Sequence, residues 1–596
     1  MGEITSARML DPRIYRTGLI VAALALVVLA FSLSNQQPAL GTTLSPAVFD
    51  GSNVVSTVGS IDAADPIRSP GSAGENALAD QVVSKLGSYG FQVSTDTFSG
   101  VTVDGSRTLE NVTGVRPGLD SGSIVIVAPR DAPGAVGASG TAMLIELARD
   151  LQGETLHRTV VLASVSGAAG AAGTARLAST LAGPVDAVIV LGDVASAHVR
   201  QPIVIPWSSE HAVAPPLLRN TLAAALRSQA SLGAGSSGLG AQFARLAFPF
   251  TLGQQAPFAA RGIPAVELSL SGERGPAPDA PLASVGRITG VGHAVLSTIS
   301  ALDGGAAAPA PSAYVLLAGK VVPGWAIALF VIALLVPILM TTVDGVARAR
   351  RRGHEMWRSL ALVLAAATPF LSAVLIVLAG SLLGAIGTAP SGPVAPGAVG
   401  LHQAGIEVLV LAAVAILAVG AAIQRLAKRL RVGLRGPEGA TAATLVVLCA
   451  VTFAIWLRNP FAALLLAPAL HVWLAAVNPD LRLGPLPRLA LVAAGLAPTA
   501  LVAFYYANAF GYSPSAAAWQ AALLIAGHSV GPLAALEWSI VGGGVLSVVV
   551  LAARAARAGG VQPAPVTVRG PGNYAGPGSL GGTESALRRP ESALRR

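Results

Sequence analysis

Ser123-Ile-Val-Ile-Val-Ala-Pro129, then Arg130-Asp131, then Pro133-Gly-Ala-Val-Gly-Ala-Ser-Gly140 running into Thr141-Ala-Met-Leu-Ile-Glu-Leu-Ala-Arg149, is the stretch whose reading decides the fold. A continuous β-branched run without polar alternation predicts a strand buried on both faces, and the Gly- and Pro-bearing turn after it opens a helix. The pattern recurs, with apolar strands near 159–164, 186–191 and 264–270 and helical stretches near 139–151, 173–182 and 214–231. Strands alternating with helices predict an α/β domain, a mainly parallel sheet with helices on both faces. Ligands of open sheets of this kind bind beyond the carboxyl ends of the strands. That rule gathers Asp131, Ala168, Ala169, Gly192 and Asp193 at one edge.

The same stretch, with a second strand running into Ser166-Gly-Ala-Ala-Gly170, resembles the M28 family of zinc-dependent aminopeptidases. The matching family stretches read AHxD, GAxDNxSGxAxLLELAR and SGEExGLxGS. Arg68-Ser-Pro-Gly-Ser72, Glu110-Asn-Val-Thr-Gly114, Pro257-Phe258 and Gly262-Ile-Pro-Ala265 follow the family in order and spacing, and Asp279 falls where its HxxxD ends. The resemblance implies an aminopeptidase-like fold and would imply a two-zinc site. Position by position, however, the first histidine ligand is Pro129, with its neighbouring aspartate kept as Asp131. The bridging aspartate falls on Val136 or Gly137, and the two adjacent glutamates, one of them the general base, are Ala168 and Ala169. The next aspartate falls on Gly192, with Asp193 one position out of register, and the last histidine on Gly275 or Pro276.

Zinc needs imidazole or carboxylate atoms at about 2.0–2.2 Å, and Pro, Val, Gly and Ala side chains offer none. The expectation is therefore a catalytically inactive, pseudoenzyme form of the fold, without a cofactor, whose cleft is a metal-free pocket bordered by Asp131, Asp193, Gln255 and Asp279. One alternative is an active membrane-bound metallo-aminopeptidase whose zinc site is displaced onto Asp131, Asp193 or the nearby His198, Glu210 and His211. A further alternative is a transporter or lipid-handling protein with the α/β domain as an accessory.

Of the 596 residues only 12% are charged and 53% are hydrophobic, outside the range of an ordinary soluble protein. Apolar runs at 17–33 and, after a long stretch without one, at 321–343, 359–387, 403–424, 440–457, 460–478, 488–508 and 533–553 predict eight spans. The run 516–530, closed by Gly531-Pro532, is too short to cross and reads as re-entrant or interfacial. The chain then divides into a cytoplasmic N-terminus (1–16), an anchor (17–33), an exported domain (34–320), a membrane domain of about seven helices (321–553) and a disordered basic tail (554–596). Arg8, Arg13 and Arg16, the clusters at Arg348–Arg352 and Arg425–Arg435, Arg482, Arg488, Arg554 and Arg557 all fall on one side of this arrangement. By the positive-inside rule both termini are cytoplasmic and 34–320 lies outside the plasma membrane.

The net charge of +9 is thus loop charge facing anionic lipid, not a nucleic-acid surface. Expected partners are membrane lipids and a peptide or another membrane protein. The single cysteine, Cys449, permits no intrachain disulfide, and the Arg-, Ala- and Gly-rich composition points to a GC-rich bacterial genome. Ionisable groups at membrane depth are costly, which singles out Glu407, His471 and Glu537 as candidates for a membrane site. One span, a peptidase-like domain and a multi-span half are also similar in layout to the peptidase-like subunit of the glycosylphosphatidylinositol transamidase.

Overall fold

In the computed structural model, which describes residues 12–41, 49–351, 353, 356–387, 389–429, 437–478, 480–481 and 483–559, the run Ser123–Pro129 is a strand with every residue buried. The described strands in chain order are β1 (Ser34–Asn35), β2 (Gln92–Thr102), β3 (Gly105–Arg116), β4 (Ser123–Pro129), β5 (Thr159–Val165), β6 (Val185–Leu191), β7 (Val204–Ile205), β8 (Ala265–Leu268), β9 (Tyr314–Leu317) and β10 (Lys320–Pro323). Seven of them form one sheet in the order β2-β3-β5-β4-β6-β8-β7. Its centre, β5-β4-β6-β8, is parallel, as the β-branched runs predict.

The flanks correct the expectation of a mainly parallel sheet. β3 joins β5 antiparallel, β2 pairs with β3 as a hairpin, and β7 pairs antiparallel with β8, so the sheet is mixed. The hairpin strands are rich in Ser and Thr and only partly buried, so they carry no continuous apolar run; only their 110–114 portion is visible in the sequence.

Successive side chains of a strand point to opposite faces. Ile124 and Ile126 accordingly pack with residues of helices Gly51–Ala64, Ala73–Ser88, Ser139–Asp150, Pro216–Ala230 and Val285–Gly304. Val125 and Val127 pack on the other face with Leu177, Ala178 and Phe258, from helices Ala172–Thr180 and Ala256–Ala260.

Among the described residues eight helices are long and apolar enough to cross a membrane, the make-up of a multi-pass membrane protein. Pro12–Phe31 lies along Gly324–Arg351, close enough that a Cβ on Gly18 would sit 2.5 Å from the Pro337 Cα. Beyond them β1 pairs with β10, and β10 with β9, so a small sheet ties the first helix to the second where both meet the α/β domain. β10 also takes the first residues expected in the span at 321. The span expected at 359–387 is two pieces, Met356–Ala365 and Thr368–Leu382, broken just before Pro369, whose missing N–H cannot continue the ladder. Helix Pro532–Gly559 crosses that break on a row of small residues: a Cβ on Gly543 would meet the Ala367 backbone N at 2.5 Å. This helix runs into the segment expected as tail; residues 560–596 lie outside the described residues.

Pro514–Ala526, in the short apolar run, is a helix of 13 residues, about 20 Å long at 1.5 Å per residue, against a hydrocarbon core of about 30 Å. The Trp519 indole N–H donates to the Val399 carbonyl at 3.1 Å, and Gly527 abuts Pro390, so its middle and its C-terminal end touch the segment joining two neighbouring helices.

Candidate functional site

The carboxyl ends of β4, β5, β6 and β8 lie together, and loops stapled by buried charges cover them. After β4, the fully buried Arg130 pairs through Nε with the buried Glu75 and donates to the carbonyls of Ser164 (3.0 Å) and Glu110. Arg68 donates from the neighbouring loop to Asp65 O (2.7 Å), Gly134 O (2.7 Å) and Ala132 O. Asn111, on β3, holds the loop after β5 from both sides: its amide donates to Gly173 O at 2.9 Å, and its oxygen accepts the Ser166 N–H at 3.3 Å.

Asp131 is buried in this frame. One carboxylate oxygen accepts the N–H groups of Gly167 (3.1 Å) and Ala168 (2.9 Å), and the other lies 3.2 Å from the Ala168 nitrogen. Burial pushes its pKa up to about 6. Asp193 plays the same part after β6. It accepts N–H groups from Ala195 (3.0 Å), Ser196 (2.8 Å) and Ser271 (3.1 Å) and the Ser271 hydroxyl, so it joins the ends of β6 and β8. Burial raises its pKa against the lowering effect of those hydrogen bonds. Gln255, expected at a pocket wall, is wholly buried and donates to Trp207 O at 2.8 Å; Asp279 is exposed.

The remaining family positions carry no ligand atoms into the cleft. Pro129 ends β4, Val136 and Gly137 are buried in the turn Gly134–Gly137, Ala168 and Ala169 are half-buried, and Gly192 faces Glu267. Gly275 holds a left-handed turn (φ 76°). Among the described residues no group of three or more His, Cys, Asp or Glu could hold a metal ion. The two aspartates nearest the family's site use their oxygens on backbone N–H groups, and His198 and Glu210 are exposed. These residues do not fit a zinc pair.

Sequence reasoning passed over Glu267. It sits in β8, buried, with Oε2 accepting the Gln254 N–H at 2.6 Å, and burial pushes its pKa up to about 8. A lone acid inside an apolar strand was the available signal. Also unannounced is the junction between the two halves. Arg245 forms a paired contact with Glu273 and donates to the Tyr505 hydroxyl (2.9 Å). Its guanidinium lies 5.0–5.8 Å from the ring centroids of Phe510, Tyr506, Tyr505 and Trp207. Asn459 caps helix Pro460–Val477 by accepting from Phe461 N (3.0 Å) and Ala462 N (3.1 Å), while its amide donates to Leu246 O (3.2 Å) and Ala247 O (2.8 Å) of the domain.

The cleft edge of the sheet therefore faces the membrane half: Gly170 abuts Pro390, and Val103 at the hairpin tip packs with the Ile386–Trp519 cluster. A cavity of about 1070 Å³ lies between, bounded on the domain side by Gly170, Ala171 and residues 247–253. None of Asp131, Asp193, Gln255 and Asp279 lines it. The three membrane candidates are not brought together. Glu407 is exposed and accepts from Gln403 (3.2 Å), and Glu537 pairs with Arg458 on the cavity wall. The His471 Nε2 donates to Leu334 O (2.9 Å), which leaves Nδ1 to accept from the Tyr15 hydroxyl (2.7 Å), a tie between three helices.

Fold and site together define a mixed-sheet α/β domain seated by its cleft edge on a multi-helix membrane half. No family model and no curated protein matches the chain. Among solved structures, an Acidobacteriales bacterium glutaminyl cyclase is similar at 18% identity and TM-score 0.34, covering 45% of this chain and 99% of that one. The aminopeptidase from Aneurinibacillus sp. strain AM-1 is similar at 14% identity and TM-score 0.36, covering 44% and 95%. BSAP, a zinc aminopeptidase from Bacillus subtilis, is similar at 12% identity and TM-score 0.31, covering 42% and 94%.

Proposed function

We propose that this chain is a membrane-embedded binding and assembly module whose exported peptidase-like domain is not a hydrolase. The observation that carries this reading is the use made of the two acids at the strand ends: Asp131 and Asp193 each fasten a loop by accepting several N–H groups. At the family's general-base positions stand Ala168 and Ala169, which can neither take a proton from water nor bind a metal. A carboxylate bound up in this way holds its loop in place and has its oxygens committed to backbone N–H groups.

The domain is exported from the cytoplasm across the plasma membrane. The arginine-bearing ends of helices Gly324–Arg351 and Gln403–Arg429 lie away from it, which supports that orientation. Its partners are membrane lipids and a peptide or second membrane protein, an arrangement that parallels the layout of the transamidase subunit. The test is hydrolysis of aminoacyl anilides by the purified full chain, with and without added zinc. No turnover above buffer is expected; turnover that a chelator abolishes overturns the reading and restores the displaced metal site.

A further inference from the structure

We propose that the cavity between the α/β domain and the membrane helices holds one bilayer phospholipid with an amine-bearing headgroup. This site stands whether or not the domain is an enzyme, so it goes beyond the preceding reading.

The cavity is as large as the upper end of small-molecule sites, about 1,000 Å³. Its wall reaches from the domain loops to Ile416 on helix Gln403–Arg429. Ile416 lies 13 residues beyond Gln403, about 20 Å along the axis at 1.5 Å per residue, well inside the span. A solute arriving from water has no use for walls at that depth, whereas an acyl chain does. Phe370, Val374 and Leu524 supply more apolar wall, and the helix bearing Ile416 has only 11% of its apolar window buried, leaving it open to bilayer lipid.

The polar end selects the headgroup. The ionisable lining residues are Arg458, Glu537, Glu210 and His211, whose Nδ1 is engaged with Leu246 O at 3.1 Å, so the fixed charges are those of the first three. Arg458 pairs with Glu537 yet stays 42% exposed, so its guanidinium retains N–H donors for a phosphodiester. Two carboxylates against one guanidinium leave the end one negative charge in excess, which disfavours a purely anionic lipid. A phosphate beside Arg458 with an ammonium beside Glu210 satisfies both signs.

The experiment is native mass spectrometry of the delipidated full chain titrated with phosphatidylethanolamine, phosphatidylglycerol or glycerophosphoethanolamine, which has the headgroup but no chains. One phosphatidylethanolamine per chain is expected, held about tenfold more tightly than phosphatidylglycerol, with no adduct from glycerophosphoethanolamine. Ile416→Trp and Val374→Trp, each filling the apolar end, should each remove the bound lipid while the variant keeps the elution volume of the parent. Glu210→Gln, at an exposed position, should bring the tenfold preference down to about threefold. Equal retention of both phospholipids, retention of phosphatidylethanolamine by either Trp variant, binding of the chain-free headgroup, or no lipid adduct at all would overturn the proposal.

Discussion

Glu267→Gln should abolish a loss of stability that the parent chain suffers as pH rises. The Glu267 carboxyl is buried in β8, and burial holds its pKa at about 8 against an ordinary 4.5. An acid whose folded pKa is raised binds its proton more tightly in the native than in the unfolded chain. Between about pH 4.5 and 8 the native state therefore holds more protons, and stability falls as pH rises through that window. The full effect is about 5 kcal/mol, and about 3 kcal/mol of it has accrued by pH 7. Glutamine matches the protonated acid in shape and can still accept the Gln254 N–H now bound at 2.6 Å. The assay is thermal unfolding of the full chain in detergent from pH 5 to pH 9. The midpoints of parent and variant should nearly coincide at pH 5. By pH 9 the variant should be higher by about 10–20 °C, taking about 2–4 °C per kcal/mol. Parallel midpoint curves across the range would refute the reasoning, because they would mean that Glu267 is ionised and satisfied in the native state.

Asn459→Ala should cost about 2 kcal/mol, since it removes the cap of helix Pro460–Val477 and the donors to Leu246 O and Ala247 O together; the loss should appear as faster proteolysis between the domain and the membrane half. Gly18→Leu should loosen the first helix from Gly324–Arg351, because its Cβ would overlap Pro337; lower yield of intact chain and a lower unfolding midpoint are the readouts. Reporters fused after Arg352, after Arg435 and at the C-terminus should be cytoplasmic and one near Gly397 external, as accessibility labelling of intact cells would register. An external C-terminus would mean that Pro514–Ala526 crosses the bilayer.

The parallel core of the sheet and the eight long helices were legible because each is a continuous apolar run, with β-branched residues marking the strands and length marking the helices. The edge hairpin was legible only in part, since its Ser- and Thr-rich strands carry no such run. The site was legible as a set of positions but not as a set of roles. Asp131 and Asp193 are visible as acids at strand ends, yet their partners are backbone N–H groups, including those of Gly167, Ala168 and Ser271, which leave no side-chain signature. The same holds for Arg68, whose donors end on carbonyls, and for Arg488, expected as a topology charge and found buried, donating to the carbonyls of Ala476 at the end of the preceding helix and of Leu481 and Leu483 in the loop after it. The cavity could not be read at all, because it forms only where residues from the two halves of the chain meet.

The most direct measurement of the central claim is the unfolding midpoint of the purified full chain with excess zinc and after chelation, alongside its metal content. A ligand that binds only the native state adds RT ln(1 + [L]/Kd), about 2.7 kcal/mol at a hundredfold excess over Kd. Because the residues that the sequence resemblance aligns with the family's ligands are Pro129, Ala168, Ala169 and Gly192, the account predicts no bound zinc and midpoints that agree within about 1 °C. Stoichiometric zinc together with a midpoint lowered by several degrees on chelation would contradict it.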